Sequence, residues 1–95
     1  MGTKTIRQEM IDLLGEFELD ALAISQELRI REREVYEHLP HVARSIRGQG
    51  RQLIINPPEC LKCGYLFEGR TRFTKPGRCP ECRETRIQSP TFRIE

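Results

Sequence analysis

The sequence predicts a small α+β protein, with helices in its first half and short strands in its second. Three observations indicate this class. Apolar residues recur at helical spacing through residues 3–47, β-type runs occupy 52–56 and 91–95, and four cysteines lie between those runs. Ninety-five residues suffice for one domain, or for one domain that carries a small subdomain. A chain this short commonly needs a metal, a disulfide or a partner for its stability.

The first predicted helix runs from Thr3 to Leu14, and Gly15 is expected to end it because glycine readily closes helices. Its apolar residues recur at i, i+4, i+7, i+8 and i+11, the spacing of one stripe on an amphipathic helix. The stripe consists of Ile6, Met10, Leu13, Leu14 and Phe17. We expect these side chains to face the core.

Further helices are predicted before the strands begin. Asp20 is expected to cap a second helix, which runs through Leu28 to a tight turn at Arg29–Ile30. In the third helix, Pro40 lacks a backbone donor and disfavours helix at the residue before it. We therefore expect a kink or break at this proline, followed by another helical stretch over residues 41–47.

Two β-type runs bracket the cysteines. The first spans 52–56 and is stopped by two prolines, and the second spans 91–95, where Phe92 and Ile94 lie on one face. If the two runs pair antiparallel, the segment between them is an insertion at the tip of a β-hairpin. That hairpin would follow directly after the helices.

The cysteines form two Cys-x-x-Cys pairs separated by 15 residues, namely Cys60 and Cys63, then Cys79 and Cys82. Each pair can present two thiolates at the separation of about 3.7 Å that a tetrahedral ion requires, with Zn–S bonds of about 2.3 Å. The spacer is long enough for a short hairpin, in which Tyr65, Phe67 and Phe73 alternate with polar residues. Because four thiolates fill the coordination shell, we expect a structural Zn²⁺ ion.

Other interpretations of the four cysteines are disulfides, a redox dithiol and iron. Disulfides would need an oxidising compartment, and a redox dithiol normally has one Cys-x-x-Cys pair on a βαβ scaffold. The strings Cys-Leu-Lys-Cys-Gly-Tyr and Cys-Pro-Glu-Cys resemble the knuckles of rubredoxin, and four sulfurs suit iron as well as zinc. Arg83 stands where a rubredoxin has glycine, so iron is the less favoured alternative.

The charges are distributed unevenly. The net charge is +2, yet residues 1–59 sum to −2 and residues 60–95 to +4. Attraction to nucleic acid is therefore expected mainly in the cysteine-bearing half. No apolar run approaches the about 20 residues that span a bilayer, and the polar start does not resemble a signal peptide. We expect a cytoplasmic protein with no membrane association.

The stretch from Ile24 to Leu39 resembles the helix-turn-helix of winged-helix transcriptional regulators. The positions that match are Ile24, Ser25, Leu28, Ile30, Val35, His38 and Leu39. With a β-hairpin following it, the whole chain resembles a family of prokaryotic, mainly archaeal, winged-helix regulators that carry a rubredoxin-like zinc ribbon inserted in the wing.

This resemblance implies a division of the chain into three parts. Residues 1–59 would form the winged-helix core, with the helix-turn-helix at about 20–39 and the first wing strand at about 52–56. Residues 60–82 would be the inserted zinc ribbon, and residues 83–95 the return strand that completes the wing.

The resemblance also implies a DNA-binding transcriptional regulator whose partner is double-stranded DNA. Candidate residues for contact with the major groove are Arg31, Arg33 and Tyr36, and candidates for contact with phosphates are Arg44, Arg47, Arg51, Arg70, Arg72, Lys75 and Arg78. Two features depart from the family pattern. At the turn, Arg29 replaces the common glycine and Arg31 stands where Ser or Thr would cap the third helix. That helix also carries Glu32, Glu34 and Glu37, which would repel a polyanion.

Those glutamates favour the alternative of a protein-interaction adaptor, which would bind a protein partner in transcription without binding DNA directly. A homodimer formed through the first helix or the closing strand is also open. An enzyme is not expected, because the sequence has no catalytic constellation and no phosphate-binding glycine loop, and the metal would occupy the thiolates.

Overall fold

The computed structural model describes residues 4–69 and 72–95. Within them the chain forms three helices and five short strands arranged in antiparallel sheets, so the predicted α+β class is confirmed. In chain order the elements are α1 (Ile6–Glu16), β1 (Leu19–Asp20), α2 (Ala21–Leu28), α3 (Glu32–Arg47), β2 (Leu53–Asn56), β3 (Glu59–Cys60), β4 (Ile87–Gln88) and β5 (Thr91–Ile94). Of the described helices, none has the length and apolarity needed to cross a membrane.

The closing strand β5 is the centre of a three-stranded antiparallel sheet with the order β1-β5-β2. The pairing of β2 with β5 runs from Leu53 opposite Ile94 to Asn56 opposite Thr91, as expected from the two β-type runs. The pairing of β1 with β5 was not predicted, because two residues carry no periodicity. Strands β3 and β4 pair separately and lie at the two ends of the cysteine segment, residues 60–82, whose first cysteine, Cys60, belongs to β3.

One core joins all three helices to β5. Phe92 of β5 is fully buried, and the helices contribute Met10, Ile11, Leu14, Ala21, Ile24, Val35, Leu39, Val42 and Ile46. The four buried residues of α3 follow the spacing i, i+4, i+7 and i+11, so one face of that helix lies against the core along its length. Ile94 completes the buried face of β5, as the alternation in the sequence predicted.

Helix α1 differs from its prediction at both ends. It begins at Ile6, after Thr5 accepts a hydrogen bond from the N–H of Gln8 at 3.1 Å, and it runs through Gly15. The prediction that Gly15 ends the helix is wrong. The chain leaves the helix at Phe17, whose extended backbone leads into β1, so pairing with β5 sets the end. Phe17 is exposed, and Ile11 takes a buried place instead.

Helix α3 continues through Pro40, so the predicted break does not occur. Proline lacks a backbone N–H and crowds the carbonyl four residues earlier, but here it is exposed to solvent. Buried residues on both sides of it, Leu39 before and Val42 after, hold both halves of the helix against the same core. Tertiary packing therefore overrides the local preference.

The connection between α2 and α3 follows the prediction. The Asp20 carboxylate accepts a hydrogen bond from the N–H of Ala23 at 2.8 Å and so caps α2. Arg29 ends α2 in the left-handed region, with φ 57° and ψ 44°, and the N–H of Ile30 donates to the carbonyl of Ser25 at 3.0 Å. The turn thus forms without the glycine that favours this conformation.

Candidate functional site

The four cysteines lie together at one point of the structure. Their Sγ atoms all lie within 4.8 Å of one another, with 3.5 Å between Cys60 and Cys82 and 3.6 Å between Cys63 and Cys79. These two distances are close to the edge of about 3.7 Å in a tetrahedron of sulfurs around zinc, and far above a disulfide length of about 2.05 Å. All four are free cysteines, so the donor set fits one tetrahedral metal ion and not two disulfides.

The two Cys-x-x-Cys turns have the same backbone hydrogen bonds. In each, the carbonyl of the first cysteine accepts from the N–H four residues later, and its own N–H donates to the carbonyl five residues later. The N–H of Gly64 donates to the carbonyl of Cys60 at 3.0 Å, and the N–H of Arg83 donates to that of Cys79 at 2.9 Å. The N–H of Cys60 donates to the carbonyl of Tyr65, and the N–H of Cys79 to that of Glu84, both at 2.9 Å. The site is therefore built from two equivalent knuckles.

The residue after each knuckle adopts a left-handed backbone, with φ 79° at Gly64 and φ 62° at Arg83. Glycine adopts this conformation freely, whereas a residue with a Cβ pays about 1 kcal/mol. Arg83 therefore differs from the rubredoxin pattern in residue type but not in backbone geometry. Arg83 therefore does not disfavour iron, and four sulfurs suit either metal.

Backbone dipoles favour a charged sulfur in this cluster. The N–H groups of Cys63 and Lys62 point at the Cys60 sulfur and lower its pKa to about 6. Although the N–H of Tyr65 acts to lower it, burial and the neighbouring sulfurs raise the pKa of Cys63 to about 12. Crowded sulfurs thus share protons that a divalent cation would displace, which is the behaviour of a thiolate metal site.

In its described residues, the spacer between the knuckles does not form the predicted hairpin. Over residues 67–69 and 72–78 there is no strand, and a single bridge joins Glu59 to Leu66. Instead, Phe73 packs against Phe92 of the helical core, with ring centroids 6.0 Å apart. An aromatic ring buries more apolar surface there than it would on an exposed two-stranded ribbon, and this long-range contact leaves no local sequence signal.

The cationic residues of α3 lie on its solvent face. Arg33, Glu37, Pro40 and Arg44 are exposed and follow the spacing i, i+4, i+7 and i+11, so they form one stripe opposite the buried residues. Arg47 is also exposed, in the last turn of the same helix. Because the helix is not broken, Arg33 and Arg44 share a rigid element, which the sequence prediction did not foresee. We call Arg33, Glu37, Pro40 and Arg44 the α3 stripe.

Two of the three glutamates on α3 have partners at the start of that helix. The Glu34 carboxylate accepts from the N–H of Arg31 at 3.1 Å, and the Tyr36 hydroxyl donates to Glu32 at 3.4 Å. Burial, followed by the Glu32 charge, raises the pKa of Tyr36. Glu34 stands three residues after the N-cap residue Arg31, the position of the glutamate in a capping box, but Arg31 lacks the Ser or Thr that completes the sequence signature. Arg31 precedes the helix as its N-cap residue.

The remaining predicted phosphate contacts divide into two groups. In the spacer, Arg72, Lys75 and Arg78 are exposed, while Arg70 lies outside the described residues. Arg51 is half-buried and lies against α1, because a Cβ added at Gly15 would meet its Nη2 atom at 3.0 Å. The Arg51 side chain therefore lies beside α1.

The chain is similar in sequence to a protein family and in structure to a solved protein. A family model described as PF0610-like, N-terminal, matches residues 5–54, which include all three helices. The solution NMR structure of protein PF0610 from Pyrococcus furiosus is similar over 100% of this chain and 92% of that chain, with a TM-score of 0.80 and 28% sequence identity. No curated protein sequence matches the chain. The structural similarity extends over the cysteine segment, which the family model does not include.

Proposed function

Because the chain belongs to the PF0610-like family and exposes the α3 stripe, we propose that it is a DNA-binding transcriptional regulator with a winged helix-turn-helix fold. The proposal takes α2 and α3 as the helix-turn-helix and β2 and β5 as the strands of the wing. It treats residues 60–82 as a zinc ribbon inserted in that wing. Support comes from the left-handed turn at Arg29 and from the antiparallel pairing of β2 with β5.

The observation that carries the proposal is the α3 stripe. Arg33 and Arg44 are eleven residues apart, or about 16 Å along a helix that rises about 1.5 Å per residue. A helix of this kind fits the major groove of B-DNA, so that Arg33 would reach base edges while Arg44 and Arg47 would contact phosphates. Arg31 and Tyr36 lie beside the helix start and would contact the same groove.

Charge on this face also supports DNA as the partner. Glu32 and Glu34 lie at the start of the helix and off the α3 stripe, so the charges of the α3 stripe and Arg47 are three guanidinium groups against the one carboxylate of Glu37. The face is therefore cationic even though the whole helix carries as many glutamates as arginines. That imbalance is what a polyanion requires.

The metal would be structural. Four thiolates would fill a tetrahedral shell and leave no position for a substrate, and no enzymatic activity is proposed. Zn²⁺ is the proposed ion, with iron as the alternative. By holding the two knuckles together, the ion would fix the ends of the spacer that carries Arg72, Lys75 and Arg78, which are proposed to bind phosphates beside the groove.

A fluorescence anisotropy titration with duplex DNA at several salt concentrations tests this function. The logarithm of the affinity should fall linearly with the logarithm of the salt concentration. The change Arg44→Glu should weaken binding about 3- to 10-fold and reduce the slope by about 1, because one phosphate contact is lost. Lys4→Glu is the control, since it changes the net charge equally at an exposed residue that precedes α1 and pairs with Asp12.

Two results would overturn the proposal. An absence of measurable binding at about 50 µM protein and low salt would exclude DNA as the partner and favour the adaptor. Equal losses for Arg44→Glu and Lys4→Glu would show that binding, if present, does not use the α3 stripe.

A further inference from the structure

A groove between α1 and α2 combines carboxylates with an apolar pocket. Its larger part has a volume of about 530 Å³, and its walls include Glu9, Asp12, Glu16 and Glu27. The smaller part, about 210 Å³, is lined by Leu13, Phe17, Leu19 and Glu27. The two parts share Leu13 and Glu27, so they form one continuous surface, which we call the α1–α2 groove. No residue of α3 lines it.

Phe17 is the feature of this groove that the fold does not explain. Its side chain is 55% exposed, whereas every other aromatic residue of the chain is buried or half-buried. A large apolar side chain left in water beside a pocket and rimmed by polar groups is typical of a protein interaction site. In the sequence, Phe17 falls on the apolar stripe of α1, but the entry into β1 turns it away from the core.

The charges around the groove are not balanced internally. Asp12 is paired with Lys4 at 2.6 Å, and Gln8 also donates to it at 3.0 Å. Glu9, Glu16 and Glu27 remain, and the other cation that lines the groove is Arg29. The surface beside Phe17 is therefore net negative.

We propose that the α1–α2 groove docks a basic segment of a partner protein. One bulky apolar side chain of that segment would enter the pocket formed by Leu13, Phe17 and Leu19, and its lysine or arginine residues would lie over Glu16 and Glu27. Aromatic and aliphatic anchors in such pockets supply most of the binding energy, while complementary charges around them select the partner.

Charge complementarity favours this occupant over the others. In a symmetric dimer the same net-negative patch of both copies would face each other, and like charges across an interface oppose association. DNA and anionic lipid would be repelled for the same reason. The proposed DNA-binding surface lies on α3 and the spacer, so this inference goes beyond the proposed function and does not depend on it.

The test is a selection from displayed random peptides of about a dozen residues on the metal-loaded full-length protein, followed by affinity measurement of the selected peptides. The expected peptides combine a net positive charge with a bulky apolar residue. Their affinity should fall about tenfold or more in Phe17→Ser and in Glu27→Lys. Leu61→Ser and Glu81→Lys are the matched controls, because both positions are exposed in the cysteine segment. DNA affinity should stay within about twofold in Phe17→Ser.

Three results would overturn the inference. These are selection of no peptides, selection of neutral or acidic peptides, and selection of basic peptides that bind Phe17→Ser as well as the native protein. Concentration-dependent dimerisation that Phe17→Ser abolishes, measured by sedimentation velocity, would assign the groove to a second copy of the chain instead.

Discussion

At the scale of single residues, two arginines occupy backbone conformations that glycine adopts more easily. Arg29 closes α2 with φ 57°, and Arg83 closes the second knuckle with φ 62°. In both places the neighbouring hydrogen bonds are formed, so the surrounding structure imposes the conformation on the residue. In neither turn does the arginine, by its residue type, indicate a left-handed backbone.

Substitution of Arg83 tests this description of the second knuckle. Arg83→Gly should leave the stability of the metal-loaded protein unchanged or raise it by up to about 1 kcal/mol, because glycine relieves the left-handed strain. Arg83→Val should lower it by about 2 kcal/mol, since a β-branched residue rarely adopts positive φ. Arg86→Val is the control, because its exposed ion pair with Glu84 contributes little. Urea unfolding measures all three, and equal effects of glycine and valine at position 83 would contradict the assigned conformation.

Each cysteine should be required for metal binding. Cys79→Ser should reduce bound metal, measured by elemental analysis, from about one ion per chain to nearly none, because a tetrahedral structural site needs four ligands. Lys62→Ala, in the first knuckle but without a sulfur, should retain the metal. Full metal content in the serine variant would refute the four-sulfur site. The same purified protein decides between the metals, since ferric thiolate absorbs visible light and zinc does not.

At the scale of elements, the continuity of α3 matters most for function. A break at Pro40 would have allowed Arg33 and Arg44 to point in unrelated directions, whereas one helix fixes their spacing. The proline is retained on the exposed face, where it removes one backbone hydrogen bond but disturbs no core contact.

Replacement of Pro40 should therefore stabilise the protein. Pro40→Ala restores a helical N–H and removes the clash with the carbonyl of Tyr36, and we expect a gain of about 1–2 kcal/mol in the free energy of unfolding. The neighbouring exposed change His41→Ala should alter that free energy by less than about 0.5 kcal/mol. A loss of stability in Pro40→Ala, measured by urea unfolding, would mean that the helix does not run through this position.

At the scale of the whole molecule, the cysteine segment is joined to the helical core by more than the covalent chain. The molecule measures 52 × 28 × 20 Å, so it is elongated. Phe73 of the spacer packs on Phe92, which is fully buried in the core, and Pro76 of the same spacer is buried. Loss of the metal should therefore affect the helices as well as the knuckles.

Chelation tests this coupling. Removal of the metal from the native protein should lower the thermal midpoint of the helical circular dichroism signal, because the released spacer no longer holds Phe73 on Phe92. In Phe73→Ala the midpoint of the loaded protein should already be lower, and chelation should shift it less. Phe67→Ala is the control, since that ring packs on Tyr65 within the cysteine segment. An equal shift in Phe73→Ala and the native protein would show that Phe73 carries no coupling.

The sequence by itself determined the features that depend on local spacing. Apolar residues at helical intervals located the three helices, Asp20 located a helix start, and the cysteine spacing identified a four-sulfur site. A β-type apolar run identified β2, and hydrophobic alternation identified β5, as the strands that bracket the cysteines. Periodicity and ligand spacing predict these features because both depend on backbone geometry within a few neighbouring residues.

Only the tertiary structure decided the features that depend on contacts between distant residues. Packing against the core keeps α3 continuous through Pro40, and pairing of β1 with β5 sets the end of α1 beyond Gly15. Phe73 packs on Phe92 and does not form the predicted hairpin. The same contacts exposed Phe17 and placed the Arg51 side chain beside α1. In each case burial of apolar surface or strand pairing outweighed a local preference of about 1–3 kcal/mol. The residues that make these contacts are far apart in the sequence, so the pattern of a short segment does not predict the outcome.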